Sequence, residues 1–126
     1  MKICIIGTGY VGLITGTCFA ELGNNVICVD NDKQKIAKLK SNIIPIYEPG
    51  LKELIQRNSK QNRLVFTNDI KSSIRKSDII FICVGTPTNK KNNKVDLKYV
   101  YKVTNLIKQH LNKYKIIVTK STVPVT

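Results

Sequence analysis

The chain has one histidine, and none of its four cysteines forms a C-x-x-C pair, so it offers no set of soft ligands at zinc spacing. Long apolar runs are also missing. Nothing approaches the roughly 20 residues that cross a bilayer, and Met1-Lys2 leads directly into a strand that glycines interrupt, which is not a signal peptide. Acids are few, 8 against 21 Lys and Arg, for a formal charge of +13. Arginine is scarce as well: Arg57, Arg63 and Arg75 stand among scattered lysines. No helix-turn-helix, zinc finger or aromatic-rich strand pair accompanies the charge, so nucleic acid is not the expected partner, and the milder consequence is attraction for anionic substrates such as nucleotides. Cys4, Cys28 and Cys83 fall in runs that read as buried strands and Cys18 on a helix; together they read as small buried hydrophobes in a reducing cytosol rather than a disulfide frame. At 126 residues the chain is one domain by size, large enough for a real core.

What is present is concentrated in the first thirty residues. Lys2 to Ile6 (KICII) is apolar and β-branched, long enough for a buried strand and too short for a buried helix. It runs into Gly7-Thr8-Gly9-Tyr10-Val11-Gly12, which fits G-x-G-x-x-G: Gly7 for the tight turn, Gly9 for close approach of a pyrophosphate to bare backbone, Gly12 for a helix lying close to the strand. That helix is expected from Tyr10 to Leu22, with Val11, Leu13, Ile14, Cys18, Phe19 and Leu22 as its apolar positions and Gly23 as a left-handed stop. Val26 to Val29 is a second buried strand, closed by Asp30. An acid there, about 20 residues beyond the glycines, is placed to accept the hydroxyls of an adenosine ribose and to repel a 2′-phosphate, favouring NAD over NADP.

The same alternation continues. Asp32 to Lys40 reads as an amphipathic helix capped by Asn31 or Asp32, with Lys35 one turn in, within reach of a cofactor phosphate or ribose or else simply exposed. A loop with Pro45 and Pro49 follows, then a helix from Leu51 to Asn58 that Glu48 is expected to cap. Leu64 to Thr67 is the third strand, Asn68-Asp69 caps a helix to about Ser77, and Asp78 to Val84 is the fourth strand. Asp96 caps a helix from Leu97 to Leu111, with His110 as a dipole or surface residue at its end. Ile116 to Thr119 is the fifth strand. These elements imply an α/β fold: a Rossmann-like, doubly wound parallel sheet in the order 3-2-1-4-5, with helices on both faces. Gly7, Asp30, the Gly85-Thr86-Pro87 turn and Ser121-Thr122 all lie at carboxyl ends of strands and should line one crevice, Asp30 on the adenosine side, Thr86 and Thr122 on the nicotinamide side.

GTGYVG with Val29-Asp30, then YEPGL from Tyr47, VGTPT from Val84 and KSTVPV from Lys120, resembles the N-terminal NAD-binding domain of the UDP-glucose 6-dehydrogenase family. The dehydrogenases of UDP-N-acetylmannosamine and GDP-mannose share much of the pattern. The resemblance implies a cytoplasmic enzyme that oxidises the sugar C6 alcohol to a carboxylate in two hydride transfers to two NAD. It assigns Gly7, Gly9, Val11 and Gly12 to the pyrophosphate, Asp30 and Lys35 to the adenosine half, Tyr10 and Thr86 to the cofactor, and Thr122 to the cofactor and to positioning a water or substrate oxygen. Without the resemblance, Thr122 is better read as a turn residue bonding its own backbone. Full-length members carry a helical and a further nucleotide domain that supply the catalytic cysteine and the UDP-sugar site, and through which they dimerise. None of the four cysteines here matches that nucleophile, and Thr126 stands where the family has glycine after KSTVPV. Residues 1–126 are therefore read as the NAD domain of such an enzyme without turnover of its own, or else as a stand-alone nucleotide-binding protein.

Overall fold

The computed structural model describes residues 1–86, 91, 94 and 96–120. Strands β1 (Lys2–Ile6), β2 (Asn25–Val29), β3 (Leu64–Thr67), β4 (Ile79–Ile82) and β5 (Ile116–Thr119) form one parallel sheet in the order β3-β2-β1-β4-β5. Helices α1 (Tyr10–Glu21), α2 (Lys33–Lys40), α3 (Leu51–Lys60), α4 (Ile70–Lys76) and α5 (Lys98–His110) connect them. Because side chains alternate across a strand, β1 feeds two cores. Ile3 and Ile5 pack with residues of α1, α2 and α3, whereas Cys4 and Ile6 pack with Ile74 of α4 and Val103 and Ile107 of α5. β5 closes one edge, with Ile116 and Ile117 47% and 44% exposed. Among the described residues, no helix is long and apolar enough to cross a membrane.

Helix α1 departs from its apolar pattern. Val11, Cys18 and Leu22 are exposed, and the face against the sheet is Gly12, Leu13, Gly16, Thr17 and Ala20. Small residues win that face because they let the helix axis approach the strands, while Phe19 reaches over to Phe81 with ring centroids 5.2 Å apart. Cys18 is thus not a core residue, unlike Cys4 and Cys28, and Cys83 lies one residue past β4, half-buried. Helices α2 and α3 end on asparagines in the left-handed region, Asn42 and Asn62, both at φ 60, which this side chain tolerates; α3 accordingly runs on to Lys60 instead of stopping at Asn58. Strand β4 is shorter than its apolar run, and the Asp78 carboxylate before it accepts from the Lys2 amide and from Lys113 Nζ.

Asn58, fully buried, is the polar hub of the α1–α3 face. Its Nδ2 donates to Glu21 Oε2 and to the Leu54 carbonyl, both at 2.8 Å, and its Oδ1 accepts from Arg63 Nε and Nη2. Asn58→Ala strands the Arg63 guanidinium and one Glu21 oxygen together, and is expected to cost about 2–3 kcal/mol, read as the shift in a urea unfolding midpoint. An unshifted midpoint would show that water replaces the amide at no cost. Lys115, also buried, plays a similar part on the other face: its Nζ donates to the carbonyls of Ser77 (2.6 Å) and Arg75 (3.2 Å), terminal acceptors of α4.

Candidate functional site

Register builds the site. Ile6 pairs with Val29 on one side and with Ile82 on the other, so Gly7, Asp30 and Cys83 leave the sheet side by side at its carboxyl edge, where the winding reverses. Gly7 has φ +105°, and a Cβ there would lie 2.6 Å from the Cys83 carbonyl oxygen. A Cβ on Gly12 would lie 1.9 Å from the Gly7 carbonyl oxygen, so the turn and the helix touch backbone to backbone. Gly9 differs: an added Cβ meets nothing within 4 Å, which leaves a bare-backbone cradle of the kind a bound pyrophosphate fills.

The start of α1 carries no side-chain cap and no acid in its first turn. By contrast, Asp32 Oδ1 caps α2 through the amides of Gln34 and Lys35, and Asp69 caps α4 through that of Ser72. Among the described residues no side chain caps α1, so its first-turn N–H groups and positive dipole end are open to an anion.

Asp30 sits beside this turn, its side chain 13% exposed. Its Oδ2 accepts from Thr8 N (3.0 Å) and Thr8 Oγ1 (2.7 Å), with Lys35 Nζ at 3.8 Å, and its Oδ1 accepts from the Asp32 amide (3.0 Å). Burial alone would raise the carboxyl pKa. The bonds from Asp32 and Thr8 and the Lys35 charge outweigh it and hold the group below the ordinary carboxylate value. Asn68 Nδ2 secures the Asp30 carbonyl (3.0 Å) from the end of β3.

A crevice of about 780 Å³ opens over these groups. It brings together Gly7, Gly9, Tyr10, Val11, Asp30, Lys35 and Thr86 from the residues the sequence singles out, while Gly12 lies behind it in the helix contact. Pro87, Ser121 and Thr122 lie outside the described residues. Part of the wall is not among the residues the sequence singles out for the crevice: Ile70 of α4, Tyr99, Lys102 and Leu106 on α5, and Lys120. Spacing of three and four along α5 is the signal that marks Tyr99, Lys102 and Leu106 as one face.

Tyr10 is half-exposed at the rim and its hydroxyl donates to Glu48 Oε2 (3.1 Å); that bond and the carboxylate charge push the phenol pKa up. Glu48 therefore does not cap α3 with its side chain, which is turned to Tyr10; its backbone carbonyl accepts from Leu51 N instead. Cys83 lines the crevice as a thiol that burial pushes up to about 11, and burial likewise raises Cys4 to about 12 and Cys28 further. His110 ends α5 with Nδ1 3.3 Å from Arg75 Nη2. Among the described residues no group of His, Cys, Asp and Glu could hold a metal ion.

A glycine turn packed on an uncapped helix, an acid at the end of the neighbouring strand and a crevice at the switch point define a dinucleotide-binding domain of the Rossmann type. The family described as UDP-glucose/GDP-mannose dehydrogenase, NAD binding domain, matches residues 1–126. The chain belongs to this family, and NAD is the cofactor of the domain. It is 60% identical over 124 residues to UDP-glucose 6-dehydrogenase TuaD of Bacillus subtilis, covering 98% of this chain and 27% of that protein. It is 50% identical over 125 residues to the UDP-glucose 6-dehydrogenase of Rhizobium meliloti, covering 99% of this chain and 29% of that protein. The structure of GDP-mannose dehydrogenase from Pseudomonas aeruginosa superposes with a TM-score of 0.91 at 39% identity, over 98% of this chain and 29% of that one. The chain thus spans less than a third of the length of these relatives.

Proposed function

We propose that this chain is the cofactor-binding part of a cytoplasmic UDP-glucose 6-dehydrogenase, which oxidises UDP-glucose to UDP-glucuronate, a precursor for polysaccharides. The observation that carries the choice of sugar is the 60% identity to a UDP-glucose 6-dehydrogenase, against 39% to the GDP-mannose enzyme. Bound NAD supplies the hydride acceptor, and the conversion of alcohol to carboxylate consumes two of them. The residues here bind and orient it. The Gly7–Gly12 turn and the amides opening α1 take the pyrophosphate, Asp30 takes the ribose with Lys35 beside it, and Thr86 lies at the cofactor on the β4 side. Thr122, which can both donate and accept, would position a water or substrate oxygen near the reacting carbon.

Turnover is assigned to parts of the enzyme outside this domain, which would also bind the UDP-sugar and form the dimer. In support, Cys4 and Cys28 are enclosed, Cys83 stays a neutral thiol at neutral pH, and Cys18 lies on α1 outside the crevice, so none is an activated nucleophile. Calorimetry on the chain should show NAD binding at least about tenfold tighter than NADP, since the 2′-phosphate meets Asp30. The chain alone should form no NADH from UDP-glucose, but replacing the corresponding segment of TuaD with it should give a chimera that does. Tighter NADP binding, NADH formation in proportion to the isolated chain, or an inert chimera would each overturn the corresponding part of this reading.

A further inference from the structure

We infer that Thr8 is a positioning residue for cofactor selection: it locks Asp30 through Oδ2 and leaves Oδ1 as the oxygen with acceptor capacity for the ribose. This rests on the reading of Asp30 as the ribose acceptor. Thr8 occupies a variable position of the glycine turn, where the fingerprint demands no particular side chain. Yet it is 1% exposed, and both its donors converge on one atom 22 residues away, Oγ1 at 2.7 Å and N at 3.0 Å from Asp30 Oδ2.

A carboxylate oxygen offers about two good acceptor sites, so Thr8 fills Oδ2, with Lys35 Nζ at 3.8 Å on the same atom. Oδ1 receives the Asp32 amide and, among the described residues, no second donor, which leaves one lone pair for a ligand hydroxyl. Rotating the carboxylate away would abandon a buried hydroxyl, and a buried hydroxyl without a partner is costly. The acid is therefore held in place before the cofactor arrives, and it cannot swing aside to admit a 2′-phosphate.

The test compares Thr8→Val, Thr8→Ala, Thr8→Ser and Asp30→Ala in the full chain, with NAD and NADP affinities measured by calorimetry from neutral pH down into the carboxylate range. Thr8→Val should raise the NAD Kd about tenfold, the effect of one charge-assisted bond, and change NADP less, so that selectivity falls. The acid midpoint for loss of NAD binding should also move up, towards the ordinary carboxylate value, because a bond that favours the ionised form is gone. Thr8→Ser should restore both. Thr8→Ala removes the hydroxyl without added bulk and is read in the same two ways if Thr8→Val does not fold. An unchanged selectivity ratio and midpoint in the variants without the hydroxyl, while Asp30→Ala weakens NAD, would overturn the role of Thr8 and leave that of Asp30 standing. If Asp30→Ala left NAD affinity intact, the ribose assignment itself would fall, and this inference with it.

Discussion

Gly12→Ala is expected to destabilise the domain by about 3 kcal/mol or more, placing it among the most damaging single substitutions. The new Cβ would sit 1.9 Å from the Gly7 carbonyl oxygen, 3.0 Å from the carbonyl carbon and 3.2 Å from Cys83 Cβ. The nearest two atoms are backbone, so no rotamer change relieves the clash. Either α1 moves off the sheet, opening the contact between its small-residue face and β1 and β2, or the turn at Gly7 is lost. Gly9→Ala is the control within the same motif. Its Cβ meets nothing within 4 Å among the described residues, so stability should stay within about 0.5 kcal/mol of the parent, whereas NAD affinity should fall because the methyl enters the pyrophosphate cradle. Urea unfolding of both variants beside an NAD titration separates the two effects. A Gly12→Ala protein as stable as its parent would mean that helix and turn can part without penalty.

Asp30→Ala should weaken NAD about thirtyfold, the loss of the one hydrogen bond to a charged acceptor that Oδ1 leaves open. It should also cost about 1–2 kcal/mol of stability at neutral pH, because Thr8 Oγ1 and the amides of Thr8 and Asp32 lose their acceptor. The acid is thus part of the scaffold as well as of the site, so the variant does not leave the fold wholly untouched. The sign of the pH dependence follows from the lowered pKa. The folded chain holds the Asp30 proton more weakly than the unfolded chain, so the stabilisation is complete well above the ordinary value of 3.8 and fades as pH falls below it through the folded value. The stability difference between parent and variant, measured by unfolding at neutral and strongly acid pH, should therefore shrink towards zero in acid. A difference that persisted or grew there would show that the carboxylate is not what Thr8 and Asp32 stabilise.

The two variants probe features of different legibility. The steric demand on Gly12 is visible in the glycine spacing, since a tight turn entering a helix brings the two backbones together in any chain with that pattern. Asp30 is visible as an acid at a strand end, but its dependence on Thr8 is not. Side chains 22 residues apart meet only because Ile6 and Val29 are in register, which places residues 8 and 30 on one edge. The same holds for the crevice. Its glycine turn and strand-end acid are sequence features, whereas the wall of Tyr99, Lys102 and Leu106 depends on how α5 settles over β4.

By itself the sequence determined the strands, their order and the dinucleotide fingerprint, because these follow from short apolar runs, local glycine and acid placement and the right-handedness of parallel crossovers. Tertiary structure alone decided which face of α1 is buried, where the Glu48 carboxylate points, and which polar groups pair: Thr8 with Asp30, and Asn58 with Glu21 and Arg63. Those outcomes depend on how closely two backbones approach and on which donors register sets opposite which acceptors, and neither distance nor register is written in local composition.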